Sequence, residues 1–418
     1  MSSDPAIQSQ VLFKNKPLFN QIPFLFLWIG TFFSGLAISM FYFAEAWYVV
    51  QILNLEASLG IVYIVGTVPR VIFMLIGGVL SDKISQSKIM FFSDLGKAIL
   101  ISGLVLLLLF SGEIQLWSLI TFAFLVGIID AFFWPASGSI IPALVSKNSL
   151  TRANSVIQTT NQMTSILGPM AAGFIIVGFD YTGTFALITL LFILGSVFVY
   201  FIKVNKSTDD ISGNKNTLFS NLKQGINYVK NVPVLMAFVL KTLFLNLFFT
   251  GPLIVGLPIF VKNVLSGETL DYSFIEASLA SGMLVGSIIL GIMNLKRKRG
   301  IISVTAQMFI AICFLALSFS QEVWISVIVV ALLGFAMTIS NICAVSIIQH
   351  EAKPEMIGRV MSIQTVSSMG LTPISFGLTS LCLSIGIGIE YVIMSSAILL
   401  LIFTVCIYYK IPTLRSVN

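Results

Sequence analysis

The stretch GGVLSDKISQSK, residues 77–88, is a short polar connection between two long apolar runs. Gly77 and Gly78 are small enough to let two membrane helices approach each other closely. Asp82 and Lys83 follow at once, where the chain must leave the hydrocarbon, because charged side chains are costly inside it. The pattern predicts a charged hinge between two closely packed membrane helices.

The composition of the whole chain is typical of a membrane protein. Of its 418 residues, 57% are hydrophobic and 10% are charged, whereas soluble domains carry about 25% charged residues. The mean hydropathy of +1.00 points the same way. The net charge of +6 does not indicate nucleic-acid binding, since the positive residues are spread over short loops and form no basic face or stripe.

Twelve apolar runs are long enough to cross a membrane, which takes roughly 20 residues. The predicted spans 1 to 12 cover residues 21–48, 55–80, 88–110, 116–143, 153–178, 182–203, 233–261, 273–294, 301–319, 322–348, 358–384 and 388–409. Lipid offers no partner for an unpaired backbone group, so each run is expected to be an α-helix. The sequence therefore predicts an all-α membrane protein with twelve transmembrane helices.

Lys and Arg residues are distributed unevenly between the two sides of these spans. Nineteen lie on the side shared by both termini, only Lys262 lies on the opposite side, and Arg70, Lys97 and Lys241 lie inside spans, which accounts for all 23. Positive residues are enriched in cytoplasmic loops. Both termini are therefore expected in the cytoplasm, in a multi-pass protein of a bacterial-type plasma membrane.

The longest polar stretch falls between spans 6 and 7 and divides the chain into two halves. Its first part is rich in Ser, Asp, Asn and Lys and is typical of a flexible linker. In its second part, Leu218, Leu222, Ile226 and Val229 share one helical face, which predicts a short amphipathic helix on the inner membrane surface. The predicted domains are a cytoplasmic tail (1–20), a six-helix bundle (21–203), the linker with its helix (204–231), a second six-helix bundle (232–409) and a second cytoplasmic tail (410–418).

The two halves share an internal repeat. A shift of 207 residues places Gly127 on Gly334 and Arg152 on Arg359 without a gap. Such a repeat predicts two pseudo-symmetric six-helix bundles. Chance matching between apolar helices is the alternative, and the paired arginines at loop ends argue against it.

The opening stretch resembles the loop signature between helices 2 and 3 of the major facilitator superfamily of secondary transporters. The matching residues are Gly78, Leu80, Asp82, Lys83 and Lys88. Ser85 stands where the signature usually has a glycine. The resemblance implies two parallel six-helix bundles with inverted repeats inside each. It also implies that Asp82 is held against the start of span 11, near Arg359, as part of a gate; an ordinary helix-end role is the alternative.

Span 5 resembles the Gly-Pro signature of the superfamily's antiporter branches through Gly168, Pro169 and Gly173. Proline removes one backbone hydrogen bond and glycine permits close contact, so such a helix can bend and also pack tightly. Thr164 and Ala172 stand where the fullest pattern has glycines. The resemblance implies export by antiport.

Three further segments narrow the resemblance to one branch. Residues 131–136, 141–145 and 153–155 are similar to macrolide-efflux proteins and to siderophore exporters of the enterobactin type. This similarity implies a small amphipathic organic substrate, protons as the coupling ion, and a transporter that works as a monomer in the lipid bilayer.

Ionisable residues inside the predicted spans are the strongest functional signal. They are Glu45, Arg70, Asp94, Lys97, Asp130 and Lys241. A charge at a helix centre costs roughly 2.5–3.5 kcal/mol, so each is expected to have a partner or a function. Asp94 and Lys97 are three residues apart and can pair on one helix face. Arg70 can join them in a structural network behind the inner gate.

Asp130 and Glu45 have no basic residue one helical turn away in the sequence. A carboxylate that is buried without a partner binds a proton more readily, so both are candidate proton carriers. The alternative is that Arg70, Lys97 or Lys241 satisfies them from another helix. Lys241 could instead meet an anionic substrate.

The sequence contains no pattern typical of an enzyme. It has no glycine-rich phosphate loop, no CxxC pair and no visible nucleophile beside a base, so we expect neither catalysis nor a cofactor or metal. The predicted function is proton-coupled efflux of a small amphipathic compound, such as a macrolide-like drug or a siderophore, by alternating access. Symport or facilitated uptake of a small metabolite by the same fold is the alternative.

Overall fold

The computed structural model describes residues 18–202, 218–293, 298–353 and 356–411. Within these residues every regular element is a helix, and no strand is present. An apolar chain that satisfies its backbone polar groups within each segment is expected to fold in this way.

The first six transmembrane helices lie within residues 22–200. They are α1 (Ile22–Trp47), α2 (Leu59–Lys83), α3 (Gln86–Ser111), α4 (Leu116–Leu144), α5 (residues 150–178) and α6 (residues 181–200). The last two helices form one run, Leu150–Tyr200, that is kinked at Phe179 and Asp180. Asp180 has a φ of 55° and a ψ of −172°, which an α-helix cannot contain. This kink ends α5 and starts α6.

The second set of helices begins after the linker. They are α7 (Leu218–Asn231), α8 (Pro233–Leu245, continuing through Asn246–Thr250 and Gly251–Ile254 to Gly256–Asn263), α9 (Thr269–Met293), α10 (Arg299–Ser318), α11 (Val323–Glu351), α12 (Ile357–Met369 and Thr372–Ser384) and α13 (Ile389–Lys410). Eleven helical runs among the described residues are long and apolar enough to cross a membrane, and one of them is the double run Leu150–Tyr200. The described residues therefore contain the twelve transmembrane helices that the sequence predicts.

The chain divides into two compact units. The first comprises Met1–Glu45 and Val65–Asp209, and the second comprises Ala46–Ile64 and Asp210–Asn418. The end of α1 and the start of α2 therefore belong to the second unit. Within that unit, the indole Nε1 of Trp47 donates a hydrogen bond to Thr269 Oγ1 at 2.8 Å. The Nζ of Lys262 lies 3.1 Å from Glu56 Oε1 and forms an ion pair with it.

Glycines set the closest helix approaches inside each unit. A Cβ added to Gly127 of α4 would collide with the carbonyl oxygen of Gly66 of α2, and a Cβ added to Gly334 of α11 would collide with the carbonyl oxygen of Leu279 of α9. Small residues of this kind let membrane helices pack backbone to backbone. Gly127 and Gly334 are also the pair that the 207-residue shift superposes. The same contact thus recurs between α2 and α4 and between α9 and α11.

The amphipathic helix predicted after the linker is present as α7. Val229 is buried in the same apolar core as Val360 and Ile363 of α12, while Ile226 is exposed. The hydroxyl of Tyr228 accepts a hydrogen bond from the backbone N–H of Lys353 at 3.1 Å. Part of the predicted apolar face of α7 therefore packs against other helices of the second unit, while the side chains of Leu218 and Leu222 lie outside the described part of the structure.

Candidate functional site

Four charged side chains of α2, α3 and α4 form a continuous ion network in the first unit. Lys97 Nζ lies 3.0 Å from Asp94 Oδ1 and 3.4 Å from Asp130 Oδ1. The guanidinium of Arg70 lies 3.5 Å from Asp130 Oδ2. Lys97, Asp94 and Asp130 are almost completely buried, whereas the Arg70 side chain is 28% exposed. With two cations and two carboxylates, the network is neutral when all four groups are ionised.

The network agrees with two expectations from the sequence and, for Asp130, with the stated alternative. Asp94 and Lys97 pair across one helical turn, as their spacing predicts, and Arg70 joins them through Asp130. For Asp130 the structure shows the alternative that the sequence left open, because Lys97 and Arg70 reach it from two other helices. A buried charge is tolerated in a protein when it is paired and hydrogen-bonded. Asp130 meets this condition.

Neutral side chains complete the polar shell around the network. Ser34 of α1 donates a hydrogen bond to Asp94 Oδ2 at 2.5 Å. The indole Nε1 of Trp134 donates one to Asp130 Oδ2 at 3.1 Å. The Nζ of Lys97 also lies 4.4 Å from the ring centre of Phe133, where the ring face attracts a cation. The buried charges are thus held in fixed positions on α3 and α4.

A small cavity opens onto this network between α1, α4 and α5. Lys97 and Asp130 both line it, together with hydroxyl and amide side chains such as Thr31, Ser137 and Asn161. Polar lining of this kind is required where water or a polar solute reaches a buried charge. The network therefore borders a space that a water molecule can enter.

Glu45 lies on α1 at the edge of the network and differs from the other carboxylates. It is 1% exposed, and its Oε1 has no hydrogen-bond partner among the described residues of the first unit. Tyr42 precedes it by three residues, so both lie on one face of α1. The hydroxyl of Tyr42 accepts a hydrogen bond from Arg70 at 3.3 Å. Tyr42 therefore stands between Glu45 and the ion network.

The Gly-Pro segment of α5 packs closely against α1. A Cβ added to Gly168 would lie 2.5 Å from the Oγ and Cβ of Ser39, and a Cβ added to Gly35 would lie 2.8 Å from Thr164 Oγ1. Gly35 of α1 thus faces Thr164 of α5, and four residues later along each helix Ser39 of α1 faces Gly168 of α5. Thr164, which replaces a glycine of the fullest signature, is accommodated because Gly35 faces it.

The remaining residues of that segment keep α5 regular. Pro169 lies inside the helix and is buried, as is Gly173. The only backbone angles that leave the helical region between Leu150 and Tyr200 are those of Phe179 and Asp180. The Gly-Pro signature of α5 therefore packs closely against α1 without bending the helix. The kink at Phe179 lies ten residues after Pro169.

Lys241 of α8 is buried in the second unit among neutral acceptors. Its Nζ donates hydrogen bonds to the carbonyl oxygen of Ser303 at 3.1 Å, to the Ser303 hydroxyl, and to Ser340 Oγ at 2.8 Å. The two serine hydroxyls in turn donate to each other's backbone carbonyls. All three ammonium protons are thus used inside the protein. An anionic substrate would have to displace these acceptors to reach Lys241.

Glu276 of α9 is a membrane carboxylate that is absent from the candidates named above. Its Oε2 is buried without a hydrogen-bond partner among the described residues of the second unit, and Tyr272, one turn earlier, shares a hydrogen bond with the carboxylate. The sequence did contain the signal. Glu276 falls inside predicted span 8, so the rule that selected Glu45 applies equally to it.

The sequence profile of the Major Facilitator Superfamily matches residues 27–377. The chain belongs to this superfamily. Macrolide efflux protein A from Streptococcus pyogenes is 26% identical over 392 residues, which cover 92% of this chain and 95% of that protein. The protein of the same name from Enterococcus faecalis is 27% identical over 312 residues, covering 74% of this chain and 95% of its own length. The macrolide-efflux resemblance is confirmed, and the siderophore-exporter branch stays a prediction.

Solved structures of other transporters share this fold. The nucleoside transporter NupG has a TM-score of 0.72 at 12% identity, with 92% of this chain and 100% of NupG covered. A bacterial homologue of the human lysosomal transporter Spinster, inward-facing and unoccupied, has a TM-score of 0.68 at 12% identity, with 96% and 98% covered. The chain is therefore a multi-pass membrane transporter with the major facilitator fold, as its sequence predicts.

The loop signature of the superfamily is only partly visible. Its backbone up to Lys83 is helical and belongs to α2, but the side chains of Leu80, Asp82 and Lys83 and the contacts of Gly78 lie outside the described part of the structure. Lys88 is exposed on the first turn of α3. Arg359 lies in the first turn of α12, and its guanidinium donates to Met356 Sδ at 3.3 Å. The contact between Asp82 and the start of α12 stays a prediction.

Proposed function

We propose that this transporter exports a small amphipathic organic compound in exchange for protons, by alternating access. The relatives named Macrolide efflux protein A favour this direction and this substrate class. The observation that carries the proton part is the Glu45 carboxylate, which is buried without a basic partner among the described residues of the first unit.

Glu45 can couple a proton to a change of conformation. An ionised carboxylate without a partner costs several kcal/mol in a protein interior, so Glu45 is most easily buried as the neutral acid. Hydration on opening allows it to release the proton. A residue that is buried only when protonated and hydrated only when ionised links proton transfer to the equilibrium between two conformations.

The ion network offers a route onward from Glu45. Tyr42 separates Glu45 from Arg70, which contacts Asp130, and Asp130 borders the cavity between α1, α4 and α5. We assign Asp130 as the second proton site. A proton that binds there would neutralise the carboxylate and so weaken its ion pairs with Lys97 and Arg70, which would couple protonation to the contacts between the helices. Asp94 stays paired and holds Lys97 in place.

The energy available from one proton is enough for export. A charge that crosses roughly 150 mV releases about 3.5 kcal/mol. That free energy supports a concentration ratio of roughly a few hundredfold for a neutral solute. One carboxylate per transport cycle therefore suffices, and a second proton site would raise the attainable ratio.

We place the transporter in the bacterial plasma membrane as a monomer, with both termini in the cytoplasm. The excess of Lys and Arg on the side of the termini supports this orientation. The halves 21–203 and 232–409 act as the two moving bodies in the proposal, with the loop signature and Arg359 as the cytoplasmic gate and the α1–α5 seam at Gly168 as a fixed contact.

Transport in everted membrane vesicles tests the proposal. Vesicles energised to acidify their lumen should accumulate labelled erythromycin, and a protonophore should abolish the accumulation. Glu45→Gln should lose gradient-driven accumulation because glutamine cannot carry a proton. It should keep exchange of labelled for unlabelled erythromycin across the membrane, since exchange needs no net proton movement.

Glu113→Gln is the matched control, because Glu113 is an exposed carboxylate of the same unit. It should transport like the wild type. If acidification of the lumen drives erythromycin out of the vesicles, the chain is an uptake symporter. If Glu45→Gln retains full gradient-driven accumulation, Glu45 is not the proton carrier.

A further inference from the structure

Glu276 lies on the face of α9 that is turned away from the exposed apolar residues. At 100° per residue, Val285 and Ile292 point roughly 160–180° away from Glu276 around the helix axis. Both are strongly exposed, as expected of a lipid-facing surface, whereas Tyr272 on the Glu276 side is 3% exposed. The carboxylate therefore belongs to the inward face of α9 within the second unit.

Aromatic side chains fix the surroundings of this carboxylate. Tyr272 stacks on Trp47, with ring centres 5.0 Å apart and planes inclined by 23°. The Trp47 indole is held in turn by its hydrogen bond to Thr269. The Tyr272 hydroxyl shares a hydrogen bond with Glu276. The ring and one carboxylate oxygen are thus held in place by three successive contacts.

The second carboxylate oxygen is not used. Glu276 Oε2 is buried without a hydrogen-bond partner among the described residues, and two cations of the unit are engaged with other groups: Lys241 with Ser303 and Ser340, and Lys262 with Glu56. A buried polar atom that is left unsatisfied in a native protein calls for an explanation. An oriented acceptor beside aromatic rings is what an organic ammonium ion requires, since its N–H groups seek a carboxylate and its carbon substituents favour ring faces.

We propose that Glu276, with Tyr272 and Trp47, forms a subsite that binds the protonated amine of a cationic amphiphile. Glu276 Oε2 accepts a hydrogen bond from the ammonium group, and the Tyr272 ring packs against its methylene or methyl groups. Trp47 is a positioning residue that holds Tyr272. The subsite rests on the proposed export function and narrows its substrate class to amphiphiles that carry a positive charge.

Binding to the purified full-length chain in lipid nanodiscs tests the subsite. The probes are dansylcadaverine, a fluorescent amphiphile with one primary amine, and its N-acetyl derivative, which is neutral. The wild type should bind the amine about tenfold more tightly than the neutral probe. Glu276→Gln should bind both probes within about twofold of each other, because a charge-assisted hydrogen bond is lost.

Two further variants keep the test decisive. Tyr272→Phe retains the ring but not the hydroxyl that orients Glu276, so its preference for the amine should be intermediate. Glu322→Gln removes an exposed carboxylate of the same unit and should bind like the wild type. The subsite is refuted if the wild type shows no preference, or if Glu276→Gln keeps it. Should Glu276→Gln fail to fold, an unchanged preference in Tyr272→Phe refutes it.

The result does not depend on the outcome for export. If wild-type vesicles show no proton-driven accumulation of either probe while nanodisc binding retains the charge preference, the proposed function fails and the subsite stands. If vesicles accumulate both probes equally and Glu276→Gln changes nothing, the subsite alone fails.

Discussion

Replacement of Lys97 by methionine is the most direct test of the ion network in the first unit. Lys97 is 1% exposed and contacts both carboxylates, at 3.0 Å from Asp94 and 3.4 Å from Asp130. Without the ammonium group, Asp130 would keep Arg70 as a counter-ion at 3.5 Å. Among the described residues, Asp94 would keep only the hydrogen bond from Ser34. The loss of stability on substitution therefore comes mainly from Asp94, which is left without a counter-ion.

The expected magnitude follows from this difference between the two carboxylates. Removal of one partner from a buried ion pair costs about 3–5 kcal/mol, and methionine fills a space similar to that of the lysine stem. We expect Lys97→Met to lower the free energy of unfolding by about 3–5 kcal/mol. The double variant Lys97→Met with Asp94→Asn removes the stranded charge, so it should recover at least half of that loss.

Steric trapping of the full chain in bicelles measures the free energies of unfolding. A double-mutant cycle isolates the coupling between Lys97 and Asp94, which contacting residues show at about 0.5–3 kcal/mol. The control is Lys262→Met, which breaks a partly exposed pair with Glu56 and two hydrogen bonds to Val50 and Asn54 and should cost less than Lys97→Met, because it leaves no fully buried charge without a partner. If the double variant loses as much as the two single variants together, the two residues are not coupled and the network has been misread.

Two further substitutions probe the helix contacts. Gly168→Val should destabilise the protein by about 1–3 kcal/mol, because a Cβ there would lie 2.5 Å from Ser39 and overpacking costs this much. Ser39→Gly should restore part of the loss in a thermal unfolding assay. A Gly168→Val variant as stable as the wild type would contradict the close contact. Lys241→Met should cost only about 1–2 kcal/mol, because the Ser303 and Ser340 hydroxyls keep their backbone acceptors and leave one unfilled acceptor site each. A loss above about 4 kcal/mol for Lys241→Met would show that the amine serves a group outside this serine pair.

The sequence predicts contacts within one helix more reliably than contacts between helices. The i, i+3 spacing of Asp94 and Lys97 was sufficient to predict their ion pair, because helix geometry places both on one face. The partners of Asp130 come from α2 and α3, and their approach depends on how each helix is rotated about its axis. A hydrophobic pattern that is apolar around the whole circumference leaves that rotation undetermined.

The apolar character of each span is sufficient to predict the span itself but not the rotation of the helix about its axis. A span requires only enough apolar residues to cross the hydrocarbon, and this property survives any arrangement of the helices. The kink at Phe179 and Asp180 falls in the gap between predicted spans 5 (153–178) and 6 (182–203), directly after Gly178, so this break was predictable as well. Glu276 marks a different limit, because its signal was present in span 8 and only the choice of candidates excluded it.

A comparison of the two buried lysines indicates why proton chemistry is assigned to the first unit. The 207-residue shift places Lys241 on Ser34 and Ser340 on Phe133, so α1, α3 and α4 correspond to α8, α10 and α11. Each set of three helices encloses one buried lysine. Asp94 and Asp130 neutralise Lys97 in the first set, whereas Lys241 in the second set donates to neutral acceptors.

This difference matters for proton transfer. A proton that binds to a carboxylate beside Lys97 can be compensated by a rearrangement of the ion pairs in the network. A change in the charge of Lys241 cannot be compensated in this way, because its hydrogen-bond acceptors are neutral. The serine pair therefore suits a fixed joint between helices. Glu276 is a carboxylate of the second unit with a buried oxygen that has no hydrogen-bond partner among the described residues, which is why we assign coupling to the first unit and recognition of a cationic group to the second.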